Sequence, residues 1–215
     1  MPRAARQPDV DSRERLLQAG LALARKHGLR KLTVRAVAEK AGANLGSFVH
    51  HFGTRDAFAA ELIERLYAPM LARLQLGANA GGDALANLRS ALLQFAGWVI
   101  EQRDFIGHVM LDAGSGEAAA QRFLKGMDQR HPALLMALVV RAQQAGRLRA
   151  EAPPQVLMFL LGSLAAPAML LHLAGPLLAP ALTRVLAPFA HQLAQVEQRL
   201  DWALSALALP EGEVR

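Results

Sequence analysis

The sequence predicts an all-α fold, a small N-terminal helical domain followed by a larger helical bundle, on three observations. The 215 residues are rich in Ala and Leu, with a single Tyr, a mix whose intrinsic propensity favours helix over sheet. Apolar residues recur at three- and four-residue spacing along much of the chain, the period of a helix with one buried face. Charge is unevenly divided: residues 1–67 hold twelve Lys and Arg against seven Asp and Glu, residues 68–215 twelve against eleven, so nearly all of the net +6 sits in the first third. That division sets the expected domains at 1–67 and 68–215, and a polyanion would meet the first of them by counterion release and long-range steering. Cysteine is absent, which removes disulfides, zinc–thiolate sites and thiol nucleophiles. The start, MPRAARQPDVDSRER, has no apolar segment of the secretory kind. Both features lead to the expectation of a cytoplasmic protein.

Taken in order, a first helix is expected from Ser12 as its cap, with Leu16, Leu17, Leu21 and Ala24 inward, ending at a left-handed Gly28. Thr33 caps a second, short helix that buries Val34, Val37, Ala38 and Ala41. Gly42 makes a sharp turn, Asn44 caps a third helix, and Phe48 and Phe52 share its inner face. Two short helices about a glycine turn form a helix-turn-helix, whose second helix enters the major groove N-terminus first. Its early outward residues, Asn44, Leu45, Gly46, Ser47 and His50, are then the candidates for base contact. Thr54 caps a fourth helix with Phe58, Leu62, Ile63 and Leu66 inward, and Arg55 stands at its start, where a phosphate is favoured.

The run TVRAVAEKAGANLGSFVHHFGTRDAF, within Ser12–Phe58, resembles the DNA-binding stretch of the TetR (tetracycline repressor) family of transcriptional regulators in order, spacing and chemistry. The resemblance implies a repressor that binds a palindromic double-stranded DNA operator as a homodimer and is released by a small-molecule effector, which shifts the helix carrying the DNA-binding unit. It also implies that Thr33 and Arg35 meet phosphates, that Asn44, Leu45 and Ser47 face base edges, and that His50, His51 and Arg55 clamp the backbone. Two departures stand out: Val49 replaces a usual Tyr, and Leu45 an often polar residue. Leu45 can touch a thymine methyl but reads no hydrogen-bonding edge. Arg3, Arg6 and Arg13 are candidates to compensate as a basic N-terminal arm on the minor groove or the phosphates, the alternative being a solvated tail.

Beyond Tyr67-Ala68-Pro69 and the Gly77–Gly82 run, which interrupt the helical pattern, helices are expected near 83–101, 104–112, 117–130 and 133–146, the last two divided by Pro132. Phe95, Trp98, Met110, Phe123, Met127 and Met136 are candidates for a lipophilic effector cavity, with His108 as a polar anchor. His131 and His172 are further candidate anchors, but the histidine spacing matches no metal site. Val156–Gly175 is long and uncharged enough to raise a membrane span. Its Ser163, Pro167 and His172, and the seam Leu157, Leu161, Leu164, Ala168 and Leu171, favour helix packing instead, with a second seam at Phe189, Leu193, Val196, Leu200 and Leu204. These ten residues are the expected dimer interface, a four-helix arrangement about a two-fold axis. Gly114-Ser115-Gly116-Glu117-Ala118-Ala119 matches a dinucleotide fingerprint in letters only, with no strand before it. No catalytic constellation, cofactor or metal is therefore expected.

Overall fold

The computed structural model describes residues 8–78 and 81–209, which fold into twelve α-helices without a named strand. They divide into two compact units, Met1–Tyr67 with Asp104–Lys125, and Ala68–Arg103 with Gly126–Arg215. The helical segment from Asp104 to Lys125 thus packs with the N-terminal residues rather than with its sequence neighbours. Arg3 and Arg6 lie outside the described residues.

The first unit contains α1 (Pro8–His27), α2 (Val34–Ala41), α3 (Leu45–Phe52), the beginning of α4 (Arg55–Ala78), most of α6 (Arg103–Gly114) and α7 (Ala118–Lys125). Helix α1 begins four residues before Ser12, so Ser12 is not its cap; its hydroxyl instead meets that of Ser47 at 2.7 Å, joining α1 to α3. Thr33 and Asn44 do cap, accepting from the backbone N–H of Ala36 and Ser47. Gly42, at φ 61°, ends α2 in the left-handed conformation, the geometry that glycine adopts without a Cβ penalty. Leu16, Leu17, Phe48, Phe58 and Leu62 are fully buried and meet Phe105, Val109 and Ala120 from α6 and α7 in one apolar core. Gly20 is part of that fit, because a Cβ there would collide with the Phe58 ring at Cζ.

The second unit packs α5 (Ala84–Glu101) on α8 (His131–Gln144), α8 on α9 (Pro153–Leu164), and α9 on α12 (Leu193–Leu207), with α10 (Ala166–Ala174) and α11 (Pro180–His191) beside them. Asp83 caps α5 through the N–H of Ala86. Pro69 lies inside α4, which continues to Ala78, so the interruption expected after Tyr67 does not occur. Its ring removes one helical hydrogen bond but leaves the helix otherwise intact. Between α9 and α10 the chain bends by 51°, and among the described residues no single helix is long and apolar enough to cross a membrane. The bend has a chemical cause. Pro167 has no N–H to offer the carbonyl of Ser163, and Arg199 Nε donates to that oxygen instead at 2.9 Å.

The two seams expected to form a dimer interface are mostly intrachain core. Leu157, Leu164, Ala168, Leu171, Val196, Leu200 and Leu204 are buried within this chain and Leu161 is half-buried; only Phe189 and Leu193 are exposed. A seven-residue apolar repeat identifies the face a helix buries, not the chain it buries it against. The exposed large apolar residues of α9, α11 and α12 include Met158, Phe159, Val185, Leu186, Phe189 and Trp202.

His131 stacks on Phe95 with centroids 4.6 Å apart, and burial pushes its imidazole down to about 4. It is therefore neutral in the folded protein at neutral pH, while the unfolded chain titrates near 6.5. Between these values the unfolded state binds more protons, so this contribution is present above about pH 6.5 and lost as pH falls toward 4, an effect of up to about 3 kcal/mol. Urea unfolding from pH 7 to pH 4 should show this loss, and His131→Gln should flatten that part of the profile. In the first unit, Gly20→Ala should destabilise by roughly 1–3 kcal/mol by overpacking. The same change on an open helix face gains stability, so the sign of the shift in urea midpoint checks the contact.

Candidate nucleic-acid interface

Three aromatic rings set the orientation of α3. Phe48 lies 5.3 Å from Phe52 and 4.9 Å from Phe58, and Phe52 lies 4.7 Å from Phe58, with tilted or edge-to-face geometry throughout. Rings in these arrangements add about 0.5–1.5 kcal/mol per pair beyond their area burial. With Phe48 and Phe52 inward, Asn44, Leu45, Gly46, Val49 and His50 are exposed, and Ser47 and His51 are half-buried. Thr33 and Arg35 are exposed at the start of α2, and Thr54 at the start of α4, where its hydroxyl accepts from the Ala57 N–H at 3.1 Å. These side chains form one helix-turn-helix surface, with two histidines, edge-on at 5.2 Å, at the end of α3.

Arg13 is placed differently from the arm expected of it. It stands in α1, pairs with Glu61 of α4 and lies over the Phe52 ring at 5.4 Å, while Glu14 pairs with Arg65. These exposed bridges fasten α1 to α4 at modest energetic gain.

Arg55 also departs from expectation. Its Nη1 donates to both carboxylate oxygens of Glu117 at 2.7 and 2.9 Å, its Nε to the carbonyl of Leu32 at 3.2 Å, and its Nη2 to the carbonyl of Leu29. The guanidinium is turned into the unit, on an almost fully buried carboxylate, rather than out toward a phosphate. Asp112 completes the arrangement by accepting from the backbone N–H groups of Leu29 at 2.6 Å and Arg30 at 3.3 Å. The loop between α1 and α2 is thereby held on both its donors and its acceptors by side chains from α4, α6 and the turn before α7. Sequence reading missed Asp112 and Glu117, because their partners are 83 and 62 residues away and are mainly backbone atoms and one arginine. A buried acid on an otherwise apolar helix face was the only signal.

The residues expected to line an effector cavity are divided between the two units. Phe95 is core, stacked on His131; Met127 and Met136 are half-buried in the second unit. His108, Met110 and Phe123 belong to the first unit, where Met110 is exposed and Phe123 packs on Tyr67 at 5.0 Å. Apolar residues on amphipathic helices bury themselves by default, and composition alone does not separate lining from core. Within the second unit, a cavity of about 360 Å³ is lined by Met70, Arg73, Leu93, Gln94, Gly97, Trp98, Glu101 and Leu193. Of the expected lining only Trp98 reaches it.

A capped pair of short helices about a left-handed glycine, with a third helix behind them, defines a helix-turn-helix DNA-binding domain. Residues 16–62 match the family model described as bacterial regulatory proteins, tetR family, so this N-terminal segment is similar to the DNA-binding domain of those regulators. No curated protein matches the sequence. Solved structures match along almost the whole length. SmeT in complex with triclosan is 21% identical, with 93% of each chain covered and a TM-score of 0.70; SmeT is described as the repressor of the Stenotrophomonas maltophilia multidrug efflux pump SmeDEF. A TetR transcription regulator from Haloarcula marismortui is 17% identical over 93% of this chain and 100% of its own, with a TM-score of 0.71. FadR from Bacillus subtilis, in complex with stearoyl-CoA, is 11% identical over 91% of this chain and 99% of its own, at 0.69. At these identities the likeness establishes the fold.

Arg55→Ala should act on folding more than on phosphate contact. Removing the guanidinium leaves the Glu117 carboxylate buried and two carbonyls without their donor, and should lower the unfolding free energy by roughly 2 kcal/mol, a figure discounted for the partial exposure of Arg55. The slope of log affinity for duplex DNA against log salt should stay at its wild-type value, whereas loss of one phosphate contact would reduce it by about 1.

Proposed function

We propose that this chain is a ligand-responsive repressor that binds a palindromic operator as a homodimer and is released by a small lipophilic effector. The observation that carries this reading is the α2–Gly42–α3 unit, with both helices capped and the early face of α3 exposed. In this reading Thr33, Arg35, His50 and His51 meet the backbone, and Asn44, Leu45, Gly46 and Ser47 the bases, with the remaining surface cations adding sequence-independent attraction. Two such domains related by a two-fold axis read half-sites about one helical turn apart, roughly 34 Å.

Dimerisation is assigned to the exposed apolar faces of α9, α11 and α12. Met158, Val185, Phe189 and Trp202 are each more than half exposed, and large apolar side chains left in water favour a partner that covers them. The effector is assigned to the cavity beside Trp98, whose volume of about 360 Å³ lies within the range of small-molecule sites. Its apolar wall suits a lipophilic body, and Arg73, Gln94 and Glu101 give it polar anchors. The fold is shared with a repressor solved with triclosan and a regulator solved with stearoyl-CoA, which supports a lipophilic ligand here. Release requires that the effector prefer the DNA-incompetent state, with a coupling of about 1–3 kcal/mol.

The test is a titration against promoter-proximal duplex DNA at two salt concentrations with the mass measured in parallel. Binding by a species of twice the chain mass, weakening steeply with salt, is expected. A monomer, or binding indifferent to salt, would overturn the reading. Val185→Glu should give a monomer by light scattering and lose at least tenfold in operator affinity, while its helix content is unchanged.

A further inference from the structure

We propose that Leu45 and Val49 read operator sequence by contact with the C5-methyl groups of thymine. The inference rests on the DNA-binding reading and concerns which chemistry the recognition helix uses. Among the described residues through Tyr67, Leu45 and Val49 are the large apolar side chains that remain exposed, at 52% and 57%. They stand four residues apart on α3, so their Cβ atoms lie about 6 Å apart on one face, comparable to one or two base steps of roughly 3.4 Å. Neither helps to hold the helix, because α3 is anchored by Phe48 and Phe52 on the opposite side.

Several polar groups on the same surface also build the fold. Asn44 Oδ1 accepts from the Ser47 N–H at 2.7 Å, so the oxygen that a bidentate contact to adenine needs is committed to the helix cap. The Ser47 hydroxyl is bonded to that of Ser12 at 2.7 Å, and Thr33 Oγ1 to the Ala36 N–H at 3.1 Å. Gly46, between Asn44 and Ser47, has no side chain, and the nearest atom to a Cβ built there is Asn44 Oδ1 at 3.3 Å. Beside Asn44 and His50, the exposed face of α3 therefore presents open backbone at Gly46 and two aliphatic side chains. In the major groove the one apolar feature that distinguishes base pairs is the thymine methyl. A pair of exposed aliphatic residues on the helix that enters that groove is complementary to it and to no hydrogen-bonding edge.

The experiment uses the full-length protein and two pools of random-sequence duplex, one synthesised with thymine and one with deoxyuridine in its place, which differ only in the methyl. Selection from the thymine pool should enrich half-sites with thymine at one or two fixed positions. Replacing those thymines by deoxyuridine should weaken binding about threefold per methyl, roughly tenfold for a half-site carrying two. Leu45→Ala and Val49→Ala should each remove their share of this discrimination and leave the salt slope unchanged. Because both side chains are exposed, the variants should melt within a few degrees of wild type, which separates lost reading from lost fold. Equal affinity for the thymine and deoxyuridine forms, with salt-dependent binding intact, would overturn this inference and leave the DNA-binding reading standing. Discrimination that survives in the double variant would overturn the assignment to these residues. Absence of salt-dependent binding to either pool would overturn both readings together.

Discussion

The recognition surface depends on one packing constraint, the triangle of Phe48, Phe52 and Phe58. An eight-residue helix has little stability of its own, since nucleation is costly and few hydrogen bonds follow it. Helix α3 exists because two of its side chains, one turn apart, are held against a ring from α4. That contact also fixes rotation. A helix has about 100° between successive residues, so placing Phe48 and Phe52 inward leaves Leu45 and Val49 outward and sets His51 at the margin. The composition of the outer face, including its unusual aliphatic character, is thus free to vary only because the inner face is fully determined by packing.

A second layer is polar and long-range. In the loop from Gly28 to Leu32 the N–H groups of Gly28 and Leu32 are met by the carbonyls of Ala24 and Leu29, and the remaining buried backbone groups must be satisfied from elsewhere in the chain. Asp112 takes the N–H groups of Leu29 and Arg30, while Arg55 takes the carbonyls of Leu29 and Leu32 and is itself neutralised by Glu117. A carboxylate as buried as Glu117 is tolerated because the guanidinium meets both its oxygens. Gly28, at φ 81°, is required for backbone conformation and for space alike: a Cβ there would stand 2.8 Å from Asp112 Oδ2. An arginine that resemblance places on DNA is instead the hub of an internal network, so a matching position in a motif does not carry a matching contact.

How much of this was legible in the sequence follows from the range of each interaction. Local signals read well. Thr33, Asn44 and Thr54 act as caps, Gly42 as a left-handed turn and Asp83 as the start of α5, because each acts on atoms within four residues of itself. The apolar seams at Leu157–Leu171 and Val196–Leu204 were also visible, yet periodicity does not say which partner covers a face, and these seams close on one another within the chain. The cavity was not legible. Trp98 was the one expected residue to line it, and Met70, Arg73, Gln94 and Glu101 carried no signal apart from ordinary helix patterning.

The bend between α9 and α10 shows why a long uncharged stretch need not be a membrane segment. In hydrocarbon, a carbonyl freed by proline needs a donor from within the membrane protein. Here the carbonyl of Ser163, freed by Pro167, is met by Arg199 from α12, whose Nη1 also reaches the carbonyl of Phe189 near the end of α11. One side chain therefore satisfies acceptors at two helix ends that the sequence itself leaves open. Carbonyl oxygens replace part of the water the arginine loses, at Nε and Nη1, while its Nη2 is buried with no hydrogen-bond partner and burial lowers its proton affinity. One face of the run from Val156 to Gly175 is the inner wall of a helical bundle while Met158, Phe159 and Leu170 are exposed on the other, and its interruption is stabilised by a charge located 36 residues along the chain from the acceptor it serves.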